Sequence, residues 1–343
     1  MTIDQALLEG ARNAVRVCMN VQARDRVLVI TDTETWTIGQ ALAAESSATG
    51  ATARVLRLED YASRPVMTVP ERLGADIESF SPTVSFYAAA SQPGEIAFRM
   101  NLGQHLRHDG EVRHGHMPSI SPRLMREGMR ADYHRVHALT MQVYERVRQA
   151  KAIRVTSPKG TDLLARFSPS LNWIPCHGLY HEAGSWGNLP EGEVFTCPAQ
   201  AEGIIVADVL GDYFSDKYGI LENPVIFHLL NGWVKRVECA DKPIEQEVWE
   251  YLCTDDYGRR AGEFAIGTNT AVTALTGNLL QDEKLPGVHV AFGNPYPYRT
   301  GADWNSSVHV DVIPTECTIE VDGEVIMTGG AFQLPDPEVP DGI

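Results

Sequence analysis

The chain has 343 residues, of which 43% are hydrophobic and 22% charged, with 29 Lys and Arg against 45 Asp and Glu. This composition is typical of a folded protein, and the length suits about two domains. The net charge of −16 excludes proteins that wrap nucleic acid or bind anionic membranes, because both partners require a basic surface.

The first 150 residues alternate between helical and strand patterns. Apolar residues recur at helical spacing in residues 6–20 and 39–47, and Gly50 predicts the end of the second helix. β-branched runs between the helical segments predict three strands, at residues 26–32, 53–58 and 83–88. Strands separated by helices imply crossover connections. We therefore predict an N-terminal α/β domain over residues 1–150, with a doubly wound parallel sheet.

Residues 151–343 have a different character and predict a β-rich, α+β domain. Short alternating segments are separated by Gly, Pro and Asn, at residues 153–157, 203–208, 287–292 and 308–314. Asp322 and Gly323 form the two-residue turn of a predicted hairpin within residues 317–327. We expect these strands to form a curved sheet or a partial barrel.

Several common signatures are absent from the sequence. No G-x-G-x-x-G follows the first strand, and neither a phosphate-binding P-loop nor a G-x-S-x-G motif occurs. Six cysteines stand singly, without a C-x-x-C pair. No stretch has the roughly 18 apolar residues of a membrane span, and the N-terminus lacks a signal-peptide pattern. We therefore expect a cytoplasmic protein whose N-terminal domain is a scaffold and not a nucleotide cofactor site.

Candidate metal ligands cluster in the second half of the sequence. His309 and Asp311 stand two apart in a predicted strand, so both side chains project from one face. His289 lies in another short strand beside Ala and Gly residues, which leave room next to it. Glu263 and Glu283 complete the set, each in a short segment that contains Gly. Three carboxylates and two imidazoles exceed the ligands of a catalytic zinc and suit two ions that share a water molecule.

In this order the ligands resemble the aminopeptidase T family of metallopeptidases, whose motifs run G-E, D-E-x, H-x-A-x-G-x-x-Y and H-x-D. In this chain the motifs begin at Gly262, Asp282, His289 and His309. Residues 187–198 are similar to the family's N-L-P-x-x-E-V-F-T-x-P segment, which lies near the substrate. The resemblance covers most of the chain, although only 20 residues separate Glu263 from Glu283, fewer than in the true aminopeptidases.

The resemblance implies a metal-dependent hydrolase that cleaves an amide or a peptide bond with water activated by two divalent ions (Zn, Co or Mn). The ligands would be the five residues Glu263, Glu283, His289, His309 and Asp311. Tyr296 would stabilise the oxyanion or orient the substrate, and the nearby Tyr298 could replace it there. Glu193 would contact the substrate or shuttle a proton. The resemblance also implies a homodimer and a small-molecule or short-peptide substrate.

A second relative, the iron-dependent 2,5-dihydroxypyridine dioxygenase, gives an alternative function. This enzyme has a similar fold and the same compact length, but it binds one Fe(II) through two His and one Asp. In that enzyme a His stands at the position of Glu263, so the two Glu residues of this chain favour hydrolysis. A third hypothesis is a binding protein in which the metal is purely structural.

Other histidines are candidates for the substrate pocket. His177 and His181 flank Tyr180 ahead of the N-L-P segment, and we expect them to contribute to the pocket wall. His114 and His116 form an H-x-H pattern, which we interpret as part of a loop at the edge of the first domain.

Overall fold

The computed structural model describes residues 4–107 and 110–339. Within them the chain forms two units. The first consists of residues up to Tyr133 together with Gly178–Glu191, and the second of His134–His177 together with the residues from Gly192 onward. The predicted boundary at residue 150 thus lies inside the second unit. No helix among the described residues has both the length and the apolar character needed to cross a membrane.

Among the described residues, five strands lie in the first unit and 13 in the second. In chain order they are β1 (Arg26–Thr31), β2 (Thr52–Arg57), β3 (Val84–Ala88), β4 (Arg113–His116), β5 (Ala152–Thr156), β6 (Asp162–Arg166), β7 (Ile174–Cys176), β8 (Trp186–Asn188), β9 (Glu193–Thr196), β10 (Gln200–Leu210), β11 (Ile220–Leu230), β12 (Trp233–Glu238), β13 (Ala261–Gly267), β14 (Gly287–Gly293), β15 (His309–Ile313), β16 (Thr318–Val321), β17 (Glu324–Thr328) and β18 (Ala331–Phe332).

The helices alternate with strands in the first unit and are sparser in the second. They are α1 (Gln5–Arg12), α2 (Trp36–Ser47), α3 (Glu71–Phe80), α4 (Ile96–Leu106), α5 (Pro122–Arg126), α6 (Tyr133–Val147), α7 (Tyr213–Tyr218), α8 (Lys242–Leu252), α9 (Leu279–Asp282) and α10 (Pro297–Thr300). A π-helical turn (Asn13–Cys18) continues α1, and 3-10 turns form at Leu58–Asp60 and Gly128–Arg130.

A parallel sheet organises the first unit, with strands in the order β2-β1-β3-β4-β8. The chain runs from β1 outward to β2 and then returns past β1 to β3 and β4, and parallel crossovers that change direction in this way place helices on both faces of a sheet. Buried residues such as Leu28, Ile30 and Phe98 form its core. The prediction of a doubly wound α/β sheet is confirmed.

The structure corrects the interpretation of the H-x-H segment. It forms strand β4, between β3 and β8, and not a loop. His114 is buried and its Nδ1 lies 2.8 Å from the Ser85 hydroxyl. Gly115 packs so closely that a Cβ there would lie 3.0 Å from the Phe86 ring. Arg113 forms an ion pair with Asp25 at 2.8 Å, and because this strand consists of Arg, His and Gly its sequence does not look like a buried strand.

An antiparallel sheet of 13 strands makes up most of the second unit and confirms the prediction of a β-rich half. Its order is β18-β17-β16-β5-β6-β10-β15-β14-β13-β9-β7, and β11 and β12 branch from β10. The predicted hairpin forms between β16 and β17, with Asp322 and Gly323 at its turn. Neither the β11–β12 pair nor α8 was predicted. Four neighbouring strands of this sheet, β9, β13, β14 and β15, carry most of the candidate ligands.

Candidate metal centre

The register of four antiparallel strands places the candidate ligands on one face of the sheet. Residues paired directly across antiparallel strands share a face, as do residues two apart on one strand. Each candidate on these strands is paired with a small residue, which leaves room above the sheet. The pairs are Glu193 with Gly267, Glu263 with Ala291, His289 with Ala265, His309 with Gly293 and Asp311 with Ala291.

The opposite face of these strands is apolar and fully buried. Phe264, Val290 and Val310 belong to the hydrophobic core of the second unit. Because side chains alternate along a strand, this packing fixes which residues face the site. Gly293 has a positive φ of 99°, and a Cβ there would lie 2.1 Å from the Val308 carbonyl oxygen, so the close approach of β14 to β15 requires glycine.

The imidazole of His289 lies at the centre of the carboxylate group. Its Nε2 is 3.5 Å from oxygens of Glu193 and Glu263 and 3.9 Å from Asp311. The Nε2 of His309 lies 3.8 Å from Glu263 and 3.7 Å from Asp311. Both imidazoles therefore point toward the same pair of carboxylates, Glu263 and Asp311.

These separations fit ligands that surround an ion. They exceed the roughly 2.7–3.2 Å of an N–H···O hydrogen bond. Two donors that are each about 2.1 Å from one ion lie about 3–4 Å apart. His309 is also oriented for this role: its Nδ1 lies 3.0 Å from the Asn294 carbonyl oxygen, so it carries the hydrogen and the Nε2 lone pair faces the carboxylates. The residues present fit a divalent metal ion.

Glu283 and Lys284 reach this site from the end of the short helix α9. Asn278 caps the helix, and the buried carboxylate of Asp282 accepts hydrogen bonds from Thr276 and Gly277. The Nζ of Lys284 lies 2.8 Å from Glu283 Oε1 and 2.9 Å from Glu193 Oε1. A lysine thus stands between two of the predicted site carboxylates.

Burial and the crowded charges shift the pKa values of these groups. Burial lowers the pKa of His289, but the surrounding carboxylates outweigh it and raise that pKa to about 9. Burial, reinforced by Glu193 and Asp311, raises the pKa of Glu283 to about 8. Burial opposes ionisation of Glu193 as well, yet the positive charges of Lys284 and His289 lower its pKa. The centre without a metal therefore holds protons near neutral pH.

Metal affinity is expected to rise with pH because an ion must displace these protons. Below its pKa of about 9, His289 is protonated and cannot bind a metal. Each displaced proton changes the binding constant by about tenfold per pH unit. We expect the dissociation constant for Zn²⁺ to fall at least about tenfold per unit between about pH 7 and 9, measured by chelator competition. A constant affinity over this range would contradict the assignment of His289 as a ligand.

The two candidate tyrosines have different environments. The ring of Tyr296 lies 4.8 Å from the His309 ring and 6.1 Å from Phe195, so this side chain borders the centre. Tyr296 has a positive φ of 49° just before α10. Tyr298 is 73% exposed and lies 6.4 Å from Tyr296. The geometry favours Tyr296 over Tyr298 as the residue beside the metal ligands.

The two candidate pocket histidines fall in different units. His177 lies in the second unit, where its ring packs edge-on at 4.6 Å against His137. His181 lies in the first unit, where its Nε2 is 2.7 Å from the Val17 carbonyl oxygen. Neither of these contacts involves a metal ligand, and the substrate role of the two histidines stays a prediction.

Sequence reasoning missed Lys284 and Asp282. Both stand beside Glu283 in the D-E-x motif, and both have no exposed surface. One signal was available: Lys284 follows two acidic residues and precedes the apolar segment 285–292, an unusual place for a solvent-exposed lysine.

Comparison with known proteins supports the resemblance found in the sequence. The family model of NicX, 2,5-dihydroxypyridine 5,6-dioxygenase, matches residues 125–280. The solved 2,5-dihydroxypyridine dioxygenase from Pseudomonas putida KT2440 is 14% identical, with a TM-score of 0.70 over 98% of this chain and 99% of that one. AmpT from Thermus thermophilus is 19% identical, with a TM-score of 0.71 over 96% and 99%.

The resemblance to a superfamily that contains both enzymes is confirmed. No curated protein sequence matches the chain. At these identities the two structures show a common fold. The match to the family model of an enzyme, together with the donor groups at Glu193, Glu263 and His289 and at Glu283, His289 and Asp311, indicates an enzyme with a metal cofactor.

Proposed function

We propose that the protein is a metal-dependent hydrolase of the aminopeptidase T type that cleaves an amide or peptide bond. The observation that supports this most is the presence of Glu263 between His289 and His309, at 3.5 and 3.8 Å. Together with Asp311, these three residues form a set of two imidazoles and two carboxylates. A set rich in carboxylates suits a Lewis-acidic ion that does not change its oxidation state.

A divalent ion bound there would supply an activated water molecule near neutral pH and polarise the carbonyl that is attacked. The side chains of Glu263, His289, His309 and Asp311 would hold it. The carboxyl group of Glu283 lies in the same cluster, in a donor group with His289 and Asp311. When ionised, a carboxylate in this position would accept a proton from the nucleophile and return it to the leaving amine.

Tyr296 supplies a further polar group beside the ligands. Burial, together with the charges of Glu263 and Asp311, raises the pKa of its hydroxyl well above the ordinary value. The hydroxyl therefore stays protonated and can donate a hydrogen bond to an oxyanion. Glu193, which pairs with Lys284, is a second candidate for the proton shuttle.

Hydrolysis by protein stripped of metal and reloaded with Zn²⁺, Co²⁺ or Mn²⁺ tests the proposal. We expect release of free amine from aminoacyl amides or short peptides, which vanishes with a chelator and returns with metal. Glu283→Gln should lower kcat with little change in metal affinity, because the amide cannot take up the proton. Reloaded protein that releases no amine from any compound of a broad peptide and amide panel would contradict the proposal.

A ring-cleaving dioxygenase is the second candidate, and two observations favour it. The matched family model is that of 2,5-dihydroxypyridine 5,6-dioxygenase. His289, His309 and Asp311 also offer the two imidazoles and one carboxylate that bind Fe(II) in many oxygenases. Protein loaded anaerobically with Fe(II) would then consume oxygen when given 2,5-dihydroxypyridine. Oxygen consumption in that experiment would replace the hydrolase proposal, and its absence would contradict the dioxygenase.

A further inference from the structure

We propose that the ammonium group of Lys284 takes the place of a second metal ion, so that the centre binds one divalent ion per chain. This inference rests on the proposed metal centre and not on which reaction the centre performs. It departs from the two ions implied by the sequence resemblance.

The position of Lys284 is the first reason. It is fully buried, whereas the other five lysines of the chain, all of them described, are exposed. Its Nζ contacts one oxygen of Glu193 at 2.9 Å and one of Glu283 at 2.8 Å. An ion bound by these same oxygens would have to displace the ammonium group or lie beside it, where the like charges repel each other.

The sharing of His289 is the second reason. The donor atoms fall into two groups, one with Glu193 and Glu263 and the other with Glu283 and Asp311, and His289 belongs to both. Its Nε2 faces Glu193 and Glu263 at 3.5 Å and Asp311 at 3.9 Å. This nitrogen has one lone pair and binds one ion at a time. Filling both groups at once would leave one ion without an imidazole from His289.

The anchoring of the D-E-K segment is the third reason. Asp282 accepts hydrogen bonds of 2.7–2.8 Å from Thr276 and Gly277, so the backbone that carries Glu283 and Lys284 is fixed. Lys284 is thereby held in the site and has no exposed surface. The lysine therefore behaves as a permanent, non-exchangeable cation, while the ion at Glu263, His289, His309 and Asp311 exchanges with solution.

Metal stoichiometry tests this directly. Wild-type protein saturated with Zn²⁺ and freed of excess metal by gel filtration should contain one ion per chain by elemental analysis. Lys284→Ala removes the ammonium and opens space between the two carboxylates, and we expect it to contain two. Lys284→Arg keeps the positive charge and serves as the matched control, with one ion. Two ions in the wild type, or one in a folded Lys284→Ala variant, would overturn the inference.

A spectroscopic measurement on the wild type covers the case in which Lys284→Ala does not fold. Mn²⁺ bound alone gives an isolated signal in electron paramagnetic resonance, whereas two ions about 3.5–4 Å apart couple magnetically. We expect the isolated signal at saturation, and a coupled signal would refute the proposal. Neither experiment uses a substrate, so a failed hydrolysis assay leaves this inference intact, and a second ion leaves the hydrolase proposal intact.

Discussion

The Glu263→Gln variant is expected to lose more than about 100-fold in affinity for a divalent ion and to lose turnover with it. The substitution keeps the size of the side chain but removes a negative charge that faces the Nε2 atoms of both His289 and His309. Changing a residue that only supports a ligand already costs about 10–100-fold, so neutralising a ligand should cost more. Chelator competition gives the affinity, and amine release gives the turnover.

Two further variants make this result specific. Asp311→Asn should have the same effect, because Asp311 faces the same two imidazoles at 3.9 and 3.7 Å. Glu222→Gln carries the same chemical change at an exposed position of β11 and should match the wild type in both measurements. A Glu263→Gln protein that binds metal as tightly as the Glu222→Gln control would show that Glu263 is not a ligand.

Much of the fold could be predicted because local patterns and tertiary packing agree there. The buried strands β1 and β3 are β-branched or aromatic runs, and Asp322-Gly323 has the backbone freedom that its turn demands. The division into units was harder to predict. Residues 178–191 return to the first unit and add β8 to its sheet. Strands of three residues such as β8 carry too little pattern to reveal which sheet they join.

The candidate centre could be predicted where the spacing of residues along a strand fixes the face on which their side chains lie. The period of two along β15 places His309 and Asp311 on one face, and the small residues of β14 flank His289, as their register shows. Lys284 could not be found this way, because a lysine in a sequence is normally read as exposed and its burial depends on distant carboxylates. In the folded chain Lys284 contacts Glu193, which is 91 positions away in the sequence. This contact is one reason for expecting one ion instead of two.

Asp282→Ala is expected to destabilise the second unit by about 3–5 kcal/mol. Asp282 is fully buried, and its carboxylate accepts bonds from the Thr276 amide, the Thr276 hydroxyl and the Gly277 amide at 2.7–2.8 Å. A hydrogen bond to a charged group contributes about 1.5–3 kcal/mol. Alanine would leave the three donors of this half-buried loop without their acceptor and remove a fully buried carboxylate. Urea unfolding in the presence of a chelator measures the loss in protein free of metal.

The same substitution at a surface carboxylate separates this effect from a general loss of charge. Asp336 pairs with Arg135 at 3.0 Å, but their side chains are 86% and 52% exposed, and such pairs contribute about 0–1 kcal/mol. Asp336→Ala should therefore unfold close to the wild type. Asp282 also fixes the backbone of Glu283 and Lys284 but not the strands that carry the four proposed ligands, so Asp282→Ala should lower kcat by about 10–100-fold, as loss of a supporting residue does, with little change in Zn²⁺ affinity. If Asp282→Ala loses stability but keeps the full kcat, the loop at 276–278 contributes only to folding, and the centre holds Glu283 and Lys284 through their ion pairs alone.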